Sequence, residues 1–115
     1  MTTQARSRLL EPDLLGAPVT PDGASAALST ASADLGVFAG CEVGVWEAGP
    51  GADRDVEVDE LFVILCGKGQ VAFEDGSVID LVPGALVQLR AGDRTTWTVE
   101  SRIRKLYLIA AVPDR

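Results

Sequence analysis

The stretch from Glu60 to Glu100, ELFVILCGKGQVAFEDGSVIDLVPGALVQLRAGDRTTWTVE, decides the fold class of this chain. Short runs of β-branched and other apolar residues alternate in it with turn signals at intervals of roughly ten residues. The clearest signal is Asp75-Gly76, because glycine accepts the positive φ that a tight hairpin requires. Further turns are predicted at Gly67–Gly69, Val82–Gly84 and Ala91–Asp93. Short strands with such regular turns are typical of an all-β sandwich or barrel.

The same texture continues on both sides of this stretch. Further strands are predicted at Cys41–Ala48 and at Ile103–Val112, and no helical periodicity stands out. Residues 1–36 differ, because Gly16–Leu35 is rich in Ala, Ser, Thr, Gly and Pro. We predict an irregular amino-terminal arm there, holding at most one short strand or turn. The sequence leaves open whether this arm wraps its own barrel or that of a partner.

Composition narrows the classes of function. The chain has 115 residues, with 10 Lys and Arg against 17 Asp and Glu, and a formal net charge of −7 at pH 7. An acidic surface repels phosphate backbones and anionic lipids, so neither nucleic acid nor a membrane is expected as a partner. Met1–Leu10 lacks the apolar core of a secretory signal, which predicts a cytoplasmic protein. The absence of histidine excludes a Ser-His-Asp triad and a Cys–His dyad.

The order of the turns resembles that of the cupin superfamily. Glu60 precedes Gly67 by the spacing that ends the first cupin motif, and Gly76, Pro83-Gly84 and Ala91-Gly92 follow the order of the second. This resemblance implies a small double-stranded β-helix, the cupin jelly-roll barrel, for residues 37–115.

A closer resemblance is to the cupins of the ureidoglycine aminohydrolase type, a group that includes relatives of the ethanolamine-utilisation protein Q. The segments that carry it are Gly44-Val45-Trp46-Glu47, Pro50-Gly51, Asp59-Glu60-Leu61-Phe62, Thr96-Trp97 and Arg104-Lys105-Leu106-Tyr107. The resemblance covers about residues 40 to 110. It suggests a homodimer, in which the arm formed by residues 1–36 is a natural element for exchange.

The departures from the family pattern concern metal binding. Metal-binding cupins supply a His-x-His pair before the Glu and a third His in the second motif. In this chain the pair falls at Asp53 and Asp55 or at Arg54 and Val56, and the third falls at Thr95. Because imidazole ligands are missing, we expect no Fe, Ni or Zn site and no cofactor.

An acidic stretch leads into the first motif. Its members are Asp53, Asp55, Glu57, Asp59 and Glu60. The first four occupy alternate positions, so in a strand they would share one face and leave valines on the other. One interpretation is a solvated acidic face. The alternative is a carboxylate cage for a hard ion such as Ca²⁺ or Mg²⁺.

Glu60 has the opposite parity to those acids, and we predict that it enters the barrel lumen with Phe62 and Ile64. A buried carboxylate needs a partner or a raised pKa. In the last strand Lys105 and Tyr107 share one face. We therefore predict that both face the lumen and that Lys105 stands in electrostatically for the missing cation.

The predicted pocket is formed by polar and aromatic side chains from several strands. It is lined by Glu60, Thr95, Trp97, Lys105 and Tyr107, with Arg54 or Trp46 at its mouth. The candidate catalytic residues for proton transfer are Glu60, Lys105 and Tyr107, and the candidate ligand-binding residues are Trp46, Arg54, Thr95 and Trp97. In the alternative interpretation Trp97 and Tyr107 are ordinary core aromatics and Lys105 extends to solvent.

Three functions are compatible with this pattern. The first is a small-molecule-binding cupin that holds a small polar metabolite without metal. The second is an enzyme of the ureidoglycine aminohydrolase or isomerase type, working without metal or with an atypical one. The third is a structural module with a packed lumen.

Overall fold

The computed structural model describes residues 8–111, which form eight β-strands and contain no helix long and apolar enough to cross a membrane. The strands are β1 (Thr20–Pro21), β2 (Ala31–Phe38), β3 (Cys41–Ala48), β4 (Gly51–Val56), β5 (Glu60–Phe73), β6 (Val78–Leu81), β7 (Leu86–Leu89) and β8 (Arg94–Ala110). All strand pairs are antiparallel. The predicted all-β class is therefore confirmed.

Two long strands, β5 and β8, hold the sheet together because they pair with each other along most of their length. The first half of β5 also pairs with β7, and its second half pairs with β6. In the same way the first half of β8 pairs with β4 and its second half with β3. Strands β2 and β1 extend the sheet beyond β3. Each long strand thus belongs to two parts of a barrel, as in a jelly roll.

The sheet is creased where β5 passes Gly67, which has a φ of +94°. The register between β5 and β8 shifts three times between Ile64 and Gly69, so the ladder is bulged there. A Cβ at Gly67 would collide with the backbone of Arg102 on β8, and only glycine allows this approach. The predicted turn at Gly67–Gly69 is therefore wrong, because the glycines bend a continuous strand instead of ending it.

The crease also crosses β8, which runs without interruption through the predicted gap between Glu100 and Ile103. The structure ends this strand at Ala110, and the predicted end at Val112 lies outside the described residues. The other three predicted turns are confirmed, and each contains a glycine with positive φ. These glycines are Gly76, Gly84 and Gly92.

The core lies between the two halves of the creased sheet. Its largest fully buried side chains are Phe62, Ile64, Leu81, Leu89, Ile103, Val45 and Val71. On β5 the buried positions are even before the crease, as at Phe62, and odd after it, as at Val71. The bulges cause this change of parity, because an extra residue reverses the faces of a strand.

The amino-terminal region is more regular than the sequence indicates. Residues 31–36, predicted to be part of the irregular arm, belong to β2, which pairs with β3 throughout. The predicted boundary between residues 36 and 37 falls inside this strand and is corrected. Ala, Ser and Gly have little intrinsic preference for strands, so pairing with β3 decides the conformation here.

Arg104 fastens the preceding arm segment to the outside of the barrel. Its Nη1 donates hydrogen bonds to the carbonyl oxygens of Leu14, at 2.9 Å, and Ala17, at 2.7 Å. Its Nε donates to Glu47 Oε2 at 2.7 Å. The segment is thereby held to β8 by a side chain that is itself buried. Within one chain the arm packs on its own barrel, and its exchange in a homodimer stays a prediction.

The hydrogen bonds that Arg104 makes to the arm segment yield a first prediction. Arg104→Lys removes the planar group that donates to both arm carbonyls and to Glu47, and we expect it to lower the free energy of unfolding by about 2–3 kcal/mol. Urea unfolding measures this loss. Limited proteolysis should then cut the variant first before residue 20. Arg90→Lys, at an exposed position, is the control. If the two variants were equally stable and equally cleaved, Arg104 would not hold the arm segment.

Candidate functional site

A cavity of about 420 Å³ opens at one end of the barrel, within the size range of small-molecule sites. The inner faces of β3, β5 and β8 form its floor, β4 forms one wall, and the segment between β1 and β2 forms another. The side chains that matter for its chemistry are Asp22, Ser25, Thr30, Trp46, Asp53, Asp55, Glu57, Glu60, Trp97, Lys105 and Tyr107.

A buried ion pair lies at the floor of this cavity. Lys105 Nζ is 2.7 Å from Glu60 Oε2, and each side chain is only 7% exposed. Lys105 lies between its cross-strand partners Trp46 on β3 and Ile64 on β5. The structure therefore brings Glu60 and Lys105 together in the lumen and does not place the lysine amine in solvent. Their catalytic roles stay a prediction.

Three aromatic rings surround the ammonium of Lys105. Its Nζ lies 4.4 Å from the ring centroids of Trp46 and Phe62, and 4.9 Å from that of Trp97. The two tryptophan rings meet edge to face at 5.4 Å. A desolvated cation over such rings gains on the order of 2 kcal/mol, which helps to offset the cost of burying the charge.

The Oε2 atom of Glu60 is buried. Lys105 Nζ lies 2.7 Å from Oε2, and no other described residue donates a hydrogen bond to this buried oxygen. The lysine ammonium is therefore its partner among residues 8–111.

Glu57 is a second buried carboxylate, which the sequence pattern assigned to a solvated face or a carboxylate cage and not to the cavity. It is 8% exposed, between Val56 and Val58, which are 56% and 46% exposed. Its Oε2 accepts hydrogen bonds from Thr95 Oγ1 at 2.6 Å and Trp97 Nε1 at 2.9 Å. An acid inside with valines outside reverses the ordinary pattern of burial.

The backbone holds Glu57 in this inverted position. Its N–H donates to the carbonyl of Asp93 at 2.8 Å, and the N–H of Gly92 donates to its carbonyl at 2.9 Å. The Ala91–Asp93 turn of the second motif therefore anchors the residue that follows β4.

The alternation of acids did not predict that Glu57 is buried, because β4 ends before this residue. The alternation of acids put it on a solvated face with Asp53 and Asp55, opposite to Glu60. In the structure β4 ends at Val56 and residues 57–59 are outside any strand, so both glutamates reach the interior. No spacing in the sequence marks this break.

The environment of Glu57 changes its acidity. Burial is the largest influence and raises the pKa of Glu57, and the negative charge of Asp55 acts in the same direction. The hydrogen bonds from Thr95 and Trp97 and the charge of Lys105 oppose these effects without cancelling them. Glu57 therefore binds a proton more readily than an ordinary glutamate, and perturbed acids of this kind cluster at functional sites.

The structure corrects the predicted place of Thr95. It is buried and does not line the cavity, since its hydroxyl points to Glu57. Thr95 thus fixes the orientation of the Glu57 carboxylate, and its predicted contact with a ligand stays a prediction.

The remaining predicted residues line the cavity in different ways. Trp46 and Trp97 form its aromatic wall, and Arg54 lies exposed at its rim. Tyr107 is half-buried, and burial followed by the charges of nearby acids raises its pKa, so the hydroxyl stays protonated at neutral pH. Gly44 makes room for the Tyr107 ring, because a Cβ at that position would collide with it.

The donor set does not fit a transition metal. The chain has no histidine, and nowhere between residues 8 and 111 do three or more Cys, Asp or Glu side chains converge. Among the described residues, the acidic stretch shows no such convergence of carboxylates. Asp53 instead accepts a hydrogen bond from Ser25 at 2.6 Å, and the Lys105 ammonium is the cation next to Glu60.

A creased antiparallel barrel with a cavity at one end defines a protein of the cupin class. The family model described as EutQ-like cupin domain matches residues 35–107, which is more than half of the chain. The chain therefore belongs to the EutQ-like cupin family, as the motifs predicted.

Solved structures share the fold. The ethanolamine utilization protein Q of Salmonella typhimurium LT2 is 17% identical, with a TM-score of 0.61, over 70% of this chain and 68% of that one. A DUF861 family protein from Thermotoga maritima is 32% identical, with a TM-score of 0.54, over 56% and 75%. A protein of unknown function from Rhizobium leguminosarum is 18% identical, with a TM-score of 0.64, over 97% and 95%. A search of the curated proteins finds no match.

A double-mutant cycle tests the buried pair. Lys105→Met leaves the Glu60 carboxylate buried and uncompensated, so we expect a loss of about 3–5 kcal/mol in the free energy of unfolding. Glu60→Gln leaves the Lys105 ammonium buried without its partner charge, so we expect a loss of similar size. The double variant should lose less than the sum of the two, with a coupling of about 1–3 kcal/mol in urea unfolding.

The exposed pair of Lys68 and Glu100, 3.9 Å apart, is the matched control for this cycle. Its side chains lie mostly in solvent, so Lys68→Met and Glu100→Gln should show coupling well below about 1 kcal/mol. Additive losses at Glu60 and Lys105 would contradict the ion pair.

The raised pKa of Glu57 predicts a pH dependence of stability. Folding favours the protonated carboxyl, so this contribution is complete below the ordinary value of 4.5 and is lost as the pH rises through the raised pKa. Glu57→Gln carries no charge, and its stability relative to the native chain should therefore grow from acid to neutral pH. Urea unfolding across that range measures the difference. A difference that shrinks as the pH rises would refute the raised pKa, and exposed Glu74→Gln is the control.

Proposed function

We propose that this protein is a metal-independent cupin that binds a small polar metabolite in the cavity above Lys105 and Glu60. The observation that carries the proposal is the buried ion pair on the aromatic wall of that cavity. Two buried charges cost several kcal/mol in desolvation, and an apolar pair of the same volume is often equally stable or more so. Their position beside an open cavity supports a role in binding.

The cavity supports binding over a packed lumen. A lumen that served only as a core would be filled by side chains at the density of a protein interior. Here about 420 Å³ remains open beside Trp46, Trp97 and Tyr107. Aromatic faces with a few convergent polar groups are typical of small-molecule sites.

One observation favours a second candidate function, a proton-transfer enzyme. Glu57 faces the cavity with a raised pKa, and a fixed hydrogen-bond pair orients its carboxylate. In such an enzyme Glu57 is a better general base than Tyr107, whose pKa is raised and which keeps its proton. The candidate catalytic set of Glu60, Lys105 and Tyr107 would then gain this residue.

The proposal retains the expectation of a cytoplasmic homodimer that binds neither nucleic acid nor membranes. The net charge of −7 supports the exclusion of anionic partners. For self-association, Leu61 and Leu86 on β5 and β7 offer exposed apolar side chains on the same outer face. A second copy would remove them from water.

A thermal-shift screen tests the proposed function. A ligand that binds only the folded chain stabilises it, by about 2.7 kcal/mol at a concentration one hundred times the dissociation constant. We expect at least one class among sugars, amino acids, organic acids and amines to raise the melting temperature. Trp97→Leu, which removes part of the cavity wall, should abolish the shift.

Two results would contradict the proposal. One is a screen in which no class of metabolite stabilises the protein. The other is a ligand-dependent shift that a chelator removes, together with a stoichiometric transition metal in elemental analysis. Glu74→Gln lies outside the cavity and should respond like the native chain.

A further inference from the structure

We propose that the ligand of this cavity is a small organic cation carrying a primary ammonium group, and that Glu57 is the carboxylate that binds its nitrogen. The inference rests on the proposed function and names the class of ligand for the same site.

The charges around the cavity favour a cation. Its lining contains the carboxylates of Asp22, Asp53, Asp55, Glu57 and Glu60 and the cations Arg54 and Lys105, a formal excess of three negative charges. Glu60 neutralises Lys105 at 2.7 Å. Arg54 is exposed, and so are Asp22 and Asp55, so water screens these three charges and leaves Asp53 and Glu57 as the less exposed acids without an ion-pair partner. An anion entering the cavity would meet mainly like charges.

Most of these acids are already engaged with the protein. Asp22 accepts hydrogen bonds from Thr30 Oγ1 at 2.6 Å and from the N–H of Ala24 at 2.9 Å. Asp53 accepts from Ser25 Oγ at 2.6 Å, a bond that lowers the pKa of Asp53. These two carboxylates contribute a negative field at the mouth while their oxygens hold the loop between β1 and β2.

Glu57 is the buried acid whose two side-chain hydrogen bonds both go to one oxygen. Thr95 and Trp97 both donate to its Oε2, which fixes the plane of the carboxylate. Its Oε1 accepts no hydrogen bond from any described residue, although the side chain is more than nine-tenths buried and lines the cavity. An accessible carboxylate oxygen on a largely buried side chain can accept a hydrogen bond from a charged donor in the cavity. A ligand ammonium supplies that donor.

The tryptophan wall favours the same class. Trp46 and Trp97 line the cavity, and Trp97 donates a hydrogen bond to Glu57. The protein already uses these rings to hold the ammonium of Lys105 at 4.4 and 4.9 Å. An alkyl chain attached to the ligand nitrogen would pack on the same apolar surface.

A charge series of one size tests the inference. The probes are n-butylamine, 1-butanol and butyrate, which share a four-carbon chain and differ in charge. The chain has two tryptophans, Trp46 and Trp97, and both line the cavity, so their fluorescence reports its occupancy. We expect saturable binding of the amine that is at least about tenfold tighter than that of the alcohol or the acid.

Variants assign the contact to Glu57. Glu57→Gln keeps an acceptor for Thr95 and Trp97 but removes the charge, and should weaken amine binding by about tenfold or more. Circular dichroism checks that it is folded. Thr95→Val, which conserves shape and frees the carboxylate to rotate, is the second variant and should also weaken binding. Glu74→Gln, outside the cavity, should bind like the native chain.

The outcomes separate the inference from the proposed function. Tighter binding of butyrate or 1-butanol than of n-butylamine would overturn the cationic class while leaving a binding site in place. Amine binding that survives in both Glu57→Gln and Thr95→Val would overturn the role of Glu57. If all three probes fail but another metabolite stabilises the protein, the inference falls and the binding function stands. If nothing binds, both fall.

Discussion

The ion pair between Lys105 and Glu60 is the interaction on which the interior of this barrel depends. Both side chains are withdrawn from water, so each charge must be compensated where it lies. The partner charge at 2.7 Å and the rings of Trp46, Phe62 and Trp97 provide that compensation. The barrel thus keeps a positive charge beside Glu60, supplied by the chain itself, and the rest of the cavity is arranged around it.

The crease at Gly67 makes this arrangement possible. By bending β5 and β8 together, it allows their first and second halves to present side chains to one lumen. Trp97, from the first half of β8, then meets Lys105, from its second half. At the start of β8, the Ala91–Asp93 turn holds Glu57 by two backbone hydrogen bonds, so the cavity contains two buried carboxylates.

The sequence predicted the class of fold and much of the floor of the cavity. Alternation within a continuous strand placed Glu60 with Phe62, and Lys105 with Tyr107, because the period of two holds wherever the strand is unbroken. It failed where the backbone leaves that geometry. Glu57 follows the end of β4, Gly67 bends a strand that was expected to stop, and residues 31–36 are ordered by β3 instead of by their own preference. Such features depend on contacts between distant segments, which spacing along the chain does not encode.

The most direct test of the account follows the two lysines of the chain, Lys68 and Lys105, by nuclear magnetic resonance of protein labelled with ¹⁵N at the lysine side chains. Lys105 should give an ammonium signal that is displaced by the ring currents of the adjacent aromatic rings and exchanges slowly with water. Lys68, largely exposed, should behave like a free lysine. Two coincident signals, both exchanging rapidly with water, would show that the Lys105 ammonium is solvated and would contradict the central claim.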